Sequence, residues 1–208
     1  MSGWSEVKTS AVRRIDESAA LMAEMSETIF EWAEPGLREY RSAWLLVDYL
    51  SEKGFRVEEG VAGMPTAFTA EWGEVDPVLG FFAEYDATPG HSQRAVPYED
   101  PAVRHGPGFT DAHNMIGVAS CVAAVALSDA VSELGLEAHI RLFGTPAEKL
   151  CVGKPSWPGT ASSTAWTPSS PGTLGAQPLS WGRYGPSPTG ARSTASGWRR
   201  RRAGRAAT

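Results

Sequence analysis

The chain has 208 residues, 24 acidic and 19 basic side chains, and a formal net charge of −5. It carries only two cysteines, Cys121 and Cys151, which excludes a disulfide framework, and no apolar run approaches the roughly 20 residues that span a bilayer. The first thirty residues mix charges of both signs and lack the apolar core of a signal peptide, so the expected compartment is cytoplasmic, with no membrane partner.

Residues 5–32 predict one long amphipathic helix. Ile15, Met22, Met25 and Ile29 recur at helical spacing, with Arg14, Asp16, Glu17 and Glu24 between them. Pro35-Gly36 ends it. A second helix is expected from about Leu37 to Lys53, with Ala43, Leu46, Val47 and Leu50 facing inward and Gly54 as its C-terminal cap. Three strand-like runs follow, over 55–59, 66–72 and 77–83. The last reads PVLGFFA and is apolar on both faces, as in a central strand of a covered sheet. Residues 84–113 form a long loop rich in Pro, Gly and His, of a length that is functional or disordered in compact domains. Residues 114–134 read as a helix apolar almost all round, hence buried, and 138–143 as another strand. The alternation implies an α/β sheet with helices on both faces.

Three polar clusters sit at the ends of these elements. Glu84 and Asp86 follow the third strand, Asp111 and His113 precede the apolar helix, and Glu148 and Lys149 follow the last strand. Sites in open α/β sheets gather beyond the carboxyl ends of strands. In an extended backbone the two residues of Asp-x-His point to one side. A carboxylate oxygen beside an imidazole nitrogen suits a divalent ion such as zinc. A glutamate nearby that is not a ligand can take a proton from the attacking water. Spacing alone leaves plainer roles open. Asp111 can be a helix N-cap, His113 a polar residue of the first turn, Glu148 a surface acid, and Glu84 with Asp86 a satisfied polar turn. His91, His105 and His139 read as structural or solvated.

The strings EWAEPGLREYRSA, GVAGMPTAF, FFAEYDATPGHSQ, DAHNMIGVAS and GTPAEKLCVGKP, in that order, resemble the zinc-dependent metallopeptidase and amidohydrolase family of aminoacylase and carboxypeptidase G. This is the M-twenty family, and the similarity is to its aminobenzoyl-glutamate hydrolase subgroup. It covers nearly all of residues 15–155. The resemblance implies a three-layer α/β/α catalytic domain of the zinc-exopeptidase kind, incomplete here, interrupted in complete members by a smaller dimerisation lid. It implies hydrolysis of an amide bond in an N-acyl amino acid, aminobenzoyl-glutamate or dipeptide-like substrate, and a homodimer in the complete protein. The implied cofactor is a divalent metal, zinc first, with manganese or cobalt as alternatives.

Residue by residue, Asp111 and His113 fall on the family's metal-ligand pair. Glu148 falls on its general base, Asp86 on its conserved aspartate and Glu84 on the acid two positions earlier. Asp86 would orient a metal-ligating side chain. Two positions depart from the pattern. Phe109 stands where a histidine is common, and Lys149 where many members have a second metal-ligating glutamate. A protonated lysine donates and cannot ligate, and its charge repels a dication. The resemblance therefore does not carry a full two-metal site over to this chain. A non-catalytic binding protein on the same fold is the alternative reading.

Residues 156–208 read differently. Residues 151–208 hold eight of the basic side chains and none of the acidic ones, a charge of +8 that leaves −13 on the first 150 residues. Beyond Pro155 there is no Ile, Val, Met, Phe, His, Asn, Asp or Glu, so little could offset the chain entropy of folding. The family resemblance also stops here. Codons for Ser156 onward, read with one base restored, allow Met-Ala-Arg-Asp-Gly and then Leu-Phe-Asp-Gly-Leu-Asp-Ala-Val-Val-Ala-Trp-His-Pro, the family segment that is missing. Two steps are forced, since Trp157-Pro158 must yield alanine and Trp166-Thr167 aspartate. The sequence thus divides into 1–155, the N-terminal part of a catalytic domain, and 156–208, a frameshifted, largely disordered basic tail. The alternative is a natural basic arm, with Arg199–Arg202 on nucleic-acid phosphates. Sequencing the coding DNA across codons 150–160 and onward decides this. The displaced frame should encode the Trp-His-Pro segment, and its absence would remove the frameshift reading.

Overall fold

A computed structural model of the chain describes residues 3–153. The tail expectation, including the Arg199–Arg202 arm, lies outside the described residues. The single helix expected at the N-terminus is two helices, α1 (Gly3–Glu17) and α2 (Ala19–Trp32). The break falls at Ser18, whose hydroxyl donates to the Arg14 carbonyl at 2.8 Å. Such a side chain competes locally with the helical ladder. Helix α2 stops at Ala33, which takes a left-handed φ of 42° and donates its N–H to the Ile29 carbonyl. Helix α3 (Tyr40–Glu52) buries the expected face of Ala43, Leu46, Val47 and Leu50, and Gly54 follows with φ 84°.

The sheet has strands β1 (Arg56–Glu59), β2 (Phe68–Trp72), β3 (Val78–Ala83) and β4 (His139–Gly144) in the order β1-β2-β4-β3. Strand β2 runs antiparallel to β1 and β4, whereas β3 and β4 are parallel, Ala83 opposite Gly144. The α/β class expected from the sequence is borne out. Among the described residues the helices supply one layer. Phe68, Ala70, Ile140 and Leu142 face it and join Ile29, Leu46 and Val118 in one core. The expectation for β3 needs correction, because it lies at an edge of the described sheet and is covered on one face. Phe81 packs into the core, while Phe82 points the other way, 44% exposed, and stacks on Phe143 with ring centroids 5.4 Å apart. A two-sided apolar pattern reports how a strand would pack, not which described element reaches it.

The connection from β3 to its parallel neighbour β4 runs through the long loop and α4 (His113–Glu133). At 21 residues, α4 is long and apolar enough to cross a membrane by length and composition, contrary to the expectation that no run approaches that size. The fold uses it as a core helix. Gly117, Val118, Cys121, Val122, Ala124 and Val125 are buried, and α1, α2, α3 and the sheet all pack against it. Small side chains let these neighbours approach. One such approach is at Gly117, where a Cβ would lie 2.6 Å from the Glu84 carbonyl oxygen. Neither backbone can yield cheaply there. Gly117→Ala is therefore expected to destabilise the protein by about 1–3 kcal/mol, read as a lower urea midpoint with an unchanged slope.

Candidate active site

Because β3 and β4 are parallel neighbours, their carboxyl ends lie side by side, and the loop returns the start of α4 to the same edge. Residues from three distant stretches meet there. Tyr85 anchors the first. It is fully buried, stacks on Phe68 at 6.0 Å, and donates its hydroxyl to the Thr66 carbonyl at 2.6 Å. With Tyr85 held in the core, Glu84 and Asp86 both reach His113. The second stretch is anchored by Asn114, whose side-chain amide donates to the carbonyl and hydroxyl of Ser26 in α2. The third turns sharply after β4 through Ala147, a non-glycine residue with φ 55°. Its N–H donates to Glu39 Oε1 at 2.8 Å, and the same buried carboxylate accepts the Thr66 hydroxyl at 3.0 Å. Burial pushes the Glu39 carboxyl above the usual carboxylate range, against the opposing pull of these bonds.

Around His113 the geometry is close. Its Nδ1 lies 2.8 Å from Oδ1 of Asp86, which is fully buried. Its Nε2 lies 3.1 Å from Glu84 Oε2, 3.6 Å from Glu148 Oε2 and 3.7 Å from Asp111 Oδ2. The other Asp86 oxygen accepts the Lys149 backbone N–H at 2.9 Å. The Lys149 ammonium contacts the Asp111 carboxylate. Burial works against a charged imidazole, but the hydrogen bonds that it donates to Asp86 and Glu84 outweigh this and push the His113 pKa up to about 9.

All five residues predicted from the sequence, namely Glu84, Asp86, Asp111, His113 and Glu148, are thus brought together. The groups that meet as a set of metal donors are Glu84, His113 and Glu148, with one ligand atom each within 4.8 Å of the others. Asp111 stands beside this set, in contact with Lys149. Phe109 stays out of the cluster; its ring stacks on Phe30 at 6.0 Å and packs against the core. Sequence reasoning missed Glu39 and Glu34. Glu34 holds the Ser42 N–H and hydroxyl, at 2.9 and 2.8 Å, while its backbone carbonyl accepts the Ala87 N–H. The available signal was a pair of acids flanking Pro35-Gly36, which alone says nothing about burial.

The donor chemistry fits a divalent ion. Nδ1 faces Asp86, and Nε2, once it exchanges its proton for an ion, would ligate beside Glu84, the usual arrangement of a metal-ligating histidine with its outer partner. Over 132 residues the chain is 33% identical to one component of the p-aminobenzoyl-glutamate hydrolase of Escherichia coli, covering 63% of this chain and 27% of that protein. This chain is also 29% identical to the mouse Xaa-Arg dipeptidase, over 71% of this chain and 33% of the dipeptidase. Among solved structures it is similar to a dinuclear metal-binding peptidase of the M-twenty family from Bacillus subtilis, with TM-score 0.52 and 20% identity over 72% of this chain and 38% of that one. A protein described as an aminohydrolase from methicillin-resistant Staphylococcus aureus gives 0.54 at 15% identity, over 66% and 34% of the two chains. These two likenesses establish the shared fold. No family model matches the chain. The chain spans about a third or less of the curated relatives it matches.

The raised pKa of His113 has a sign that can be tested in chelator, without metal. The folded value, about 9, lies above the ordinary 6.5. The group's contribution to stability is therefore complete below about pH 6.5 and is lost as pH rises through about 9. Urea midpoints measured across that window should fall with pH, and His113→Asn should remove that component of the fall.

Proposed function

We propose that residues 1–155 are the N-terminal part of a metal-dependent amidohydrolase acting on an amide bond next to a carboxylate-bearing residue. The observation that carries this is His113, fixed at Nδ1 by a buried aspartate and facing Glu84 and Glu148 at Nε2. The names of the two curated relatives support the substrate class, since one belongs to a hydrolase of p-aminobenzoyl-glutamate and the other is a dipeptidase. His113 and Glu84 would hold the ion, zinc by preference for this imidazole and carboxylate set. When bound, the ion supplies Lewis acidity that polarises the amide carbonyl and acidifies the attacking water. Glu148 takes a proton from that water and returns it to the leaving nitrogen. Asp86 keeps the imidazole in the Nδ1–H tautomer. In its complete form the enzyme is proposed to be a homodimer. This chain is proposed to have little turnover, since on the frameshift reading the family's Trp-His-Pro segment is missing from it.

A second reading, a non-catalytic protein that binds a carboxylated ligand on the same fold, is favoured by the Lys149 ammonium within the cluster. Glu148→Gln in a frame-restored protein separates the two. A hydrolase should lose about 100-fold or more in kcat while keeping its metal; a binding protein should be indifferent. Zinc titration of the chain as given is the companion measurement. Tight zinc binding together with amide hydrolysis would overturn the proposal of low turnover.

A further inference from the structure

Lys149 stands where the family resemblance places a second metal-ligating glutamate, and a similar solved structure is described as dinuclear. Its position in this chain is built. Its backbone N–H is held at 2.9 Å by the buried Asp86 carboxylate, and its side chain is 18% exposed. Its ammonium contacts Asp111, a carboxylate 3.7 Å from His113 Nε2. Exchanging a carboxylate for an ammonium raises the local charge by two units, the charge of one divalent ion. The carboxylates of Glu84, Asp86, Asp111 and Glu148 surround one imidazole. A single dication together with Lys149 therefore leaves the same net charge as two dications with a glutamate at that position. A second dication at Asp111 would have to displace the ammonium from that carboxylate.

We infer that Lys149 is a tethered replacement for one of two metal ions, so that this centre is mononuclear. The one ion belongs to His113 and Glu84, with Glu148 beside them. Asp111, predicted as a metal ligand, instead serves as the counter-ion of Lys149. This rests on the metal-centre reading above. It differs from that reading in predicting a stoichiometry.

The test is metal content of the full chain after dialysis against cobalt(II), by elemental analysis, with circular dichroism to confirm folding. The native chain is expected to hold one cobalt, Lys149→Arg one, and Lys149→Glu two. Lys149→Gln removes the charge without adding an anion. It is expected to keep the count at one and lower the cobalt dissociation constant by about tenfold or more. Two ions in the native chain would overturn the inference, as would a folded Lys149→Glu that stays at one. An unchanged affinity in Lys149→Gln would do the same if the glutamate variant fails to fold. No cobalt in any variant would instead overturn the metal-centre reading, and the inference with it.

Discussion

The hydrogen bond between Asp86 and His113 is the contact on which the site depends. A fully buried carboxylate is costly to desolvate unless both oxygens are occupied. Here one oxygen takes the imidazole and the other takes the Lys149 backbone N–H. Three stretches that are remote in sequence, after β3, at the start of α4 and after β4, are tied by one side chain. The same bond selects which imidazole nitrogen faces outward. A purely structural need, satisfying a buried charge, thereby sets the orientation of the group that a metal would use.

Further out, two more buried acids repeat this logic. Glu39 holds the left-handed turn at Ala147, one residue before Glu148, and Glu34 holds the start of α3 while its backbone carbonyl meets Ala87. The Pro35-Gly36 corner therefore acts as a brace between the loops after β3 and β4, not merely as a helix stop. Gly117 completes the arrangement by letting α4 pass directly behind the Glu84 carbonyl. Rigid positioning of this kind holds Glu84, His113 and Glu148 within a few ångströms of one another.

The electrostatics have a cost. Several carboxylates crowd one imidazole, and without a metal the imidazole answers by holding a proton, with its pKa raised to about 9. Proton and dication compete for the same Nε2 direction. Lys149 changes the balance further by neutralising Asp111 from within the chain. The solved structures share the fold, and within this chain's own cluster Lys149 places an ammonium among the carboxylates.

Much of the framework was legible from the sequence. The inner face of α3, the apolar α4, the strands and the three polar clusters at element ends follow from periodicity, glycine placement and local motifs, because these are properties of neighbouring residues. The break at Ser18, the edge position of β3 and the bracing roles of Glu34 and Glu39 were not legible. Each depends on which distant groups arrive to compete for a hydrogen bond or to cover a face. The sequence by itself determined which side chains could carry the chemistry: Glu84, Asp86, Asp111, His113, Glu148 and the intruding Lys149. Only the tertiary structure decided how they divide, with Glu84 and Glu148 facing the imidazole and Asp111 paired to Lys149. That division is set by distances of a few ångströms between segments tens of residues apart, and Coulomb and hydrogen-bond energies change steeply over such distances.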